Sequence, residues 1–343
     1  MKKYLNTLFI TTQGAYLNKE GESVVVNVER EVRLRVPIHT LSGIVAFGNV
    51  MCSPFLMHHC AKNNVQISFL SEQGRFLARV VGPAHGNVRL RREQYRMADE
   101  PKTCVGIARA VLAGKASNAR TVLQRAVRDH GAKDGMEEVG DAAQRSGMLM
   151  RGLLREDDLE AVRGREGDIS RTYFGAFNHL VTAQKEAFAF VGRSRRPPMD
   201  NMNALLSFIY TLLAHDCTSA LEAVGLDPQV GFLHKDRSGR PSLALELMEE
   251  FRPFFADRLA LSLVNLRQVQ AKGFRKTESG AVEMTDDTRK ELLVAYQKRK
   301  QEEMVHPFLR ESAPLGIFFH LQAMLMARHI RGDLDGYPPV IWK

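Results

Sequence analysis

The sequence predicts an α+β protein, with a small N-terminal β domain followed by a larger all-α domain. Three observations carry that prediction. Apolar residues alternate with period two through roughly the first 80 residues. Beyond Pro101 the period becomes about 3.6. Between the two stretches, Gly82-Pro83 and Gly86-Asn87 interrupt both patterns. Residues 1–85 are therefore assigned to the β domain, 86–100 to a linker and 101–343 to the helical domain. A chain of 343 residues is long enough to give each domain its own core.

In the first domain, Val24-Val25-Val26-Asn27-Val28 is β-branched, and Val32, Leu34 and Val36 alternate with Arg33 and Arg35. Gly43 to Phe47 is a further short strand. Val65, Ile67 and Phe69 alternate before a Ser71-Glu72-Gln73-Gly74 turn, and Arg75 to Val81 returns as a strand. One helix interrupts this series. Ser53 is an N-cap, Pro54 suits the first helical position, and Phe55 to Lys62 follows until Asn63-Asn64 ends it. The connector carries four arginines between Arg89 and Arg96. In the second domain, helices are expected over Val105–Ala113, Thr121–His130, Arg171–Phe188, Asn203–Val224, Leu243–Asn265, Asp287–Glu303 and Leu315–Ile330. A charged stretch from Met136 to Asp168 separates the second of these from the third.

Composition narrows the class. Lys and Arg number 48 against 39 Asp and Glu, a net charge of +9 that favours polyanionic partners and leaves the fold open. Cys52, Cys60, Cys104 and Cys217 are scattered without CxxC pairing, the pattern of free thiols in a reducing compartment. The N-terminus lacks a signal-peptide core, and no apolar run approaches the ~20 residues of a membrane span. A cytoplasmic protein with no membrane partner is expected. The lone Trp342 either packs internally or docks a partner.

Three regions hold polar residues that a bland core does not explain. Glu166, in Arg165-Glu166-Gly167-Asp168, reads as standing near a helix start, so it is either a first-turn acid favoured by the helix dipole or a ligand. His234 closes the apolar Gly231-Phe232-Leu233 and opens a charged turn, where it is either a hydrogen-bonded boundary residue or a ligand. Glu246, Glu249 and Glu250 share one helix face at i, i+3 and i+4. Arg252 and Arg258 could compensate a solvated acidic stripe there, but Leu243, Leu247, Phe251 and Phe254 press the other side into a core. Pro253 cannot donate to the carbonyl of Glu249, so a kink is expected beside that residue. Glu166, His234 and Glu249 together supply two carboxylates and one imidazole, a donor set for Mg²⁺ or Mn²⁺. Spacing along the chain does not by itself bring Glu166 to the other two.

These features, taken over nearly the whole length, resemble a known family: the universal CRISPR adaptation integrase, the metal-dependent nuclease of spacer acquisition. The resemblance rests on Pro37, Gly43-Ile44-Val45 and Gly74, on Gly114-Lys115-Ala116-Ser117-Asn118, and on Arg165-Glu166-Gly167 with Tyr173-Phe174. It continues through Pro197-Pro198, Asp200-Asn201 and Asn203 to Phe208, and is most specific from Gly231 to Pro253. The version it most resembles belongs to type I systems, subtype C. The resemblance implies that the helical domain is catalytic and that Glu166, His234 and Glu249 are its catalytic metal ligands. Members often carry Asp where this chain has Glu246, which implies a supporting role for that position. The implied reaction joins prespacer 3′-OH ends to repeat boundaries by phosphodiester transesterification. The implied partners are prespacer and repeat duplex DNA, a second copy of the chain in a homodimer, and a small ferredoxin-like adaptation protein.

DNA grip is expected from Lys235, Arg237 and Arg240 beside the histidine and from Arg193, Arg195 and Arg196 in the Pro-rich turn. Each could equally be a solvated surface charge. Two other functions remain open at this point: a metal-dependent nuclease acting on branched DNA, and a non-enzymatic DNA-binding scaffold. A zinc site at His58-His59-Cys60 is disfavoured, because adjacent ligands on a helix diverge and no second pair sits at finger spacing.

Overall fold

A computed structural model describes residues 6–63, 65–82, 88–131 and 133–342. Asn64, Pro83, Gly86 and Asn87, named above as breakers, lie outside the described residues. The chain opens with strands β1 (Asn6–Ile10), β2 (Tyr16–Glu20), β3 (Ser23–Val28), β4 (Glu31–Pro37), β5 (Leu41–Phe47) and β6 (Met51–Cys52). Helix α1 (Pro54–Lys62) and strands β7 (Gln66–Leu70) and β8 (Phe76–Val80) follow. Ser53 Oγ accepts from Leu56 N at 3.2 Å, so the cap read from the sequence is the cap that forms. Two four-stranded sheets result, ordered β1-β5-β7-β8 and β4-β3-β2-β6. They share a core of Leu17, Val24, Val26, Ile44, Ala46 and Ile67, closed by Leu56 and Cys60 of α1.

The helical region comprises α2 (Val88–Asp99), α3 (Pro101–His130), α4 (Met136–Leu153), α5 (Leu159–Ala176), α6 (Asn201–Ala223) and α7 (Ser242–Glu249). It ends with α8 (Arg258–Asn265), α9 (Asp286–Gln301) and α10 (Leu315–Ile330). Strand β5 links the two regions through its period of two. Ile44 and Ala46 face the sheet core, whereas Val45 and Phe47 join the helical core. The Phe47 ring stacks on Phe208 of α6 with centroids 5.6 Å apart. Helix α6 is long and apolar enough, by length and composition, to cross a membrane, yet it is mostly buried inside the protein.

Several helices differ from expectation. The segment around Gly114 does not break the chain: Val105 and His130 lie in one helix of 30 residues. Gly114 serves packing instead, since a Cβ there would stand 2.9 Å from Pro339 Cβ and 3.3 Å from Glu250 Cγ. The charged stretch from Met136 is helical, and Val88–Asp99, expected only as a connector, forms α2. The helix expected over Arg171–Phe188 begins earlier, at Leu159, and ends at Ala176. The kink at Pro253 takes the form of a π-helical turn over Arg252–Asp257, in which Phe251 O accepts from both Phe255 N (2.9 Å) and Ala256 N (3.4 Å).

Candidate metal centre and nucleic-acid interface

Helix α7 sets the site. The glutamates of this helix and its C-cap do not form a solvated stripe: Glu246, Glu249 and Glu250 are 1%, 3% and 0% exposed. Buried carboxylates must find partners, and each of the three finds a different set.

Glu246 holds the histidine turn. Its carboxylate accepts from Phe232 N (2.8 Å), Leu233 N (2.9 Å) and His234 N (2.9 Å). The approach depends on Gly231, where a Cβ would stand 2.3 Å from Glu246 Oε1. His234 Nδ1 lies 3.2 Å from the same Oε1, which orients the imidazole and leaves Nε2 as its other ring nitrogen.

Glu249 lies one turn further along and meets cations. Arg252 Nη1 is 2.7 Å from its Oε1, and Lys115 Nζ is 2.9 Å from its Oε2. That Lys115 contact lies off hydrogen-bonding geometry, so Oε2 is buried without a hydrogen bond. Lys115, only 6% exposed, rises from the middle of α3 and also donates to Glu166 Oε1 (2.5 Å) and Ser170 Oγ (2.8 Å). Glu166 therefore lies within α5, not at its start, and the helix-dipole explanation for it falls away. Burial by itself would raise the Glu166 carboxyl. The Lys115 ammonium, aided by Ser170 and Arg252, overcomes this and holds it at about 2.

Arg163, one turn before Glu166 on α5, ties the histidine turn to this face. Its Nε donates to Leu233 O at 2.5 Å, directly before His234. The structure thus joins Glu166 to Glu249 through Lys115, and His234 to α5 and α7 through Arg163 and Glu246. Among the described residues, no three His, Cys, Asp or Glu side chains are grouped tightly enough to hold an ion. Yet the donor set fits a hard divalent cation, because two carboxylates already converge on one positive charge and one buried oxygen lacks a hydrogen bond. Lys115 and Arg163 were absent from the sequence-based site. Lys115 stood in the sequence only within the Gly114-Lys115-Ala116-Ser117-Asn118 segment of the resemblance, with mostly apolar neighbours on α3, and Arg163 had no such sign.

The expected DNA contacts fall into two groups. Lys235 is exposed and pairs with Glu160 at 3.0 Å; Arg237, Arg195 and Arg196 are exposed and Arg240 is half-buried. Arg193 turns inward instead. It donates to Asn203 Oδ1, and its guanidinium lies 5.1 Å from the Tyr210 ring centroid. A cleft of about 410 Å³ opens beside His234, lined by Tyr95, Asp99, Arg163 and Lys235 among others.

Behind the site, the C-terminal tail docks. Glu250 accepts from Tyr337 Oη (2.6 Å), Gln322 Nε2 (3.0 Å) and Val340 N (2.6 Å). Asn118 of α3 donates to Glu250 O and Val340 O and accepts from Trp342 N. Trp342 packs internally, stacked on Phe254 with the Arg125 and Arg258 guanidinium carbons 3.9 and 4.6 Å from its ring centroid. Elsewhere, buried His306 lies 2.9 Å by its Nε2 from Gln322 Oε1, His59 Nε2 lies 3.3 Å from Glu22 Oε2, and the four cysteines are unbridged.

Residues 8–298 match the family described as CRISPR associated protein Cas1. A CRISPR-associated endonuclease Cas1 of Chlorobaculum tepidum is 54% identical over 343 residues, covering 100% of both chains. Another from Rhodospirillum rubrum is 52% identical over 347 residues, again covering 100% of each. Among solved structures, a CAS1 protein from Thermotoga maritima has a similar fold (TM-score 0.80, 22% identity, 95% of this chain and 97% of that one). So does a casposase bound to integration product (TM-score 0.83, 21% identity, 98% and 94%).

Proposed function

The chain belongs to the CRISPR-associated Cas1 family, and from that premise we propose that it is a divalent-metal-dependent DNA integrase-endonuclease. It joins the 3′-OH ends of a prespacer duplex to the boundaries of a CRISPR repeat by transesterification. The observation that carries this reading is the convergence of the Glu166 and Glu249 carboxylates on one buried cation, with Glu246 of the same helix as Glu249 orienting the His234 imidazole.

Glu166, Glu249 and His234 would hold Mg²⁺ or Mn²⁺. Bound there, such an ion polarises a phosphoryl oxygen and stabilises charge on the attacking and leaving oxygens. The chain's own residues supply the rest. Glu166 stays ionised throughout the working range, because its carboxyl is held at about 2. Glu246 fixes the imidazole by its Nδ1 side. Arg252 holds Glu249 by the other carboxylate oxygen and lies 4.8 Å from the Tyr210 ring. Lys235, Arg237, Arg240, Arg195 and Arg196 contact phosphates without reading bases. A homodimer working with a small ferredoxin-like partner fits the family, and a structural neighbour is described as a Cas6-RT-Cas1–Cas2 complex.

The test is strand transfer of a labelled 3′-OH duplex into a supercoiled plasmid bearing a repeat. It is run with the small partner and Mn²⁺, Mg²⁺ or EDTA, using wild type, Glu166→Ala, His234→Ala and Glu249→Ala. Metal-dependent joining lost in all three variants is expected. Joining that survives the substitutions refutes the ligand assignment. Cutting without joining supports the branched-DNA nuclease, and DNA binding with no chemistry supports the scaffold.

A further inference from the structure

The three buried glutamates of α7 and its C-cap are not held alike. Glu246 is locked by three backbone N–H groups, and Glu250 by one backbone and two neutral side-chain donors. Among the described residues, Glu249 has no backbone or neutral side-chain donor. It is held by two long cationic side chains, and its Oε2 faces Lys115 without a hydrogen bond. Glu166 opposite likewise depends on Lys115, with Ser170 its other hydrogen-bond partner. The pair of carboxylates proposed to bind metal is thus the pair whose cation sits on a movable stem.

We infer that the Lys115 ammonium is a placeholder for the divalent ion: it occupies the Glu166–Glu249 pair when no metal is bound, and the ion displaces it on arrival. This rests on the metal-site reading above. An ion about 2.1 Å from a carboxylate oxygen and an ammonium 2.5 Å from the same oxygen repel strongly in a low-dielectric site. The two are alternative occupants. Without metal, Lys115 and Arg252 cancel the two carboxylate charges, so the metal-free site is neutral and stays folded. With metal bound and Lys115 displaced locally, the site carries surplus positive charge, which suits an incoming phosphodiester. Lysine is fitted to such exchange by its flexible four-carbon stem and point charge, where arginine's planar fork would bind both carboxylates more rigidly.

The experiment measures Mn²⁺ binding to the full-length protein by electron paramagnetic resonance of free Mn²⁺, without DNA or turnover. Wild type, Lys115→Met, Lys115→Arg and Lys115→Met/Glu249→Ala are compared. Removing the competitor should tighten binding about tenfold, at the low end of ordinary couplings between linked ligands. Lys115→Arg should bind no tighter than wild type, and the double variant should lose the site. Metal-free Lys115→Met should melt below wild type, and Mn²⁺ should raise its Tm more than it raises that of wild type. Equal Mn²⁺ affinity in wild type and Lys115→Met overturns the placeholder and leaves the metal site standing. Weaker binding in Lys115→Met also overturns it, since Lys115 would then be organising the carboxylates. No binding to any variant overturns the metal site and the placeholder together.

Should Lys115→Met not fold, acetylation of Lys115 in the wild type answers the same question by peptide mass spectrometry. Saturating Mn²⁺ should raise its labelling several-fold; unchanged or lowered labelling overturns the inference.

Discussion

Replacing Glu246 by Gln tests whether the histidine turn is built on a carboxylate. The wild-type side chain accepts three backbone hydrogen bonds at 2.8–2.9 Å and orients His234 Nδ1. A glutamine can keep the bonds to one oxygen, but its amide NH₂ then faces a backbone N–H, donor against donor. The two retained bonds lose charge assistance, about 1 kcal/mol each, and the opposed donor costs about 1–3 kcal/mol. The neutral amide recovers part of the cost of burying a charge, which brings the net loss to about 2–3 kcal/mol. A protein stable by about 5–15 kcal/mol remains folded after that loss. Metal affinity should fall about 10–100-fold, the usual effect of removing a group that orients a ligand. Urea unfolding and Mn²⁺ titration measure the two effects separately. Glu246→Asp keeps the charge but retracts it by a methylene, and should fall between wild type and Gln. A Gln variant within about 0.5 kcal/mol of wild type, binding Mn²⁺ normally, would refute the reasoning.

Other consequences follow from the same contacts. Burial pushes the Glu250 carboxyl up from 4.5 to about 8, against the pull of Tyr337, Val340 and Gln322. A carboxyl raised on folding stabilises fully below its unfolded value, and that stability is lost as pH rises towards the folded one. The Tm should therefore decline from about pH 4.5 to about pH 8, and Glu250→Gln should flatten that decline in a pH series of melting curves. Trp342→Ala, which empties the slot between Phe254, Arg125 and Arg258, should cost about 3 kcal/mol in urea unfolding. Arg193→Ala should destabilise by about 2 kcal/mol, as expected when a buried hydrogen-bonded group is removed. Arg195→Ala and Arg196→Ala should leave stability unchanged and each lower the salt slope of DNA binding by about 1.

Local physics made much of the β domain readable. The strands over Val24–Val28 and Gly43–Phe47 and the Ser53 cap depend on period two and on one hydroxyl, both visible within a few residues. Glycine was less informative. Gly114 resembles a breaker, with an intrinsic cost of about 1 kcal/mol in a helix, but it lies in α3 because Pro339 and the Glu250 side chain press against it. The first half of α5 lay inside the stretch read only as charged, although Asp158 caps Ala161 N at 2.8 Å and Val162, Ile169 and Tyr173 supply the buried face. The site was legible as a set of residue types and not as an arrangement. Glu166 and Lys115 are 51 positions apart, and Leu233 and Arg163 are 70 apart. Such pairs arise only when α3, α5 and α7 pack together.

That packing gives the three acids of α7 and its C-cap a shared logic. Each buried carboxyl is costly alone, and a helix end carrying three within two turns is stable only if each is separately compensated. Glu246 and Glu250 are compensated by groups that cannot move far: the backbone of the histidine turn and the docked C-terminal tail. Those two anchors fix the rotation and height of α7 on either side of Glu249. Arg252, three residues on at the start of the π-helical turn, reaches Glu249 Oε1 at 2.7 Å. Glu249 is thereby placed by its neighbours, and its remaining oxygen is left to a side-chain cation alone. The proposed metal site would use this division, with a rigid frame that sets where the carboxylate stands and one side-chain contact through which its partner could change.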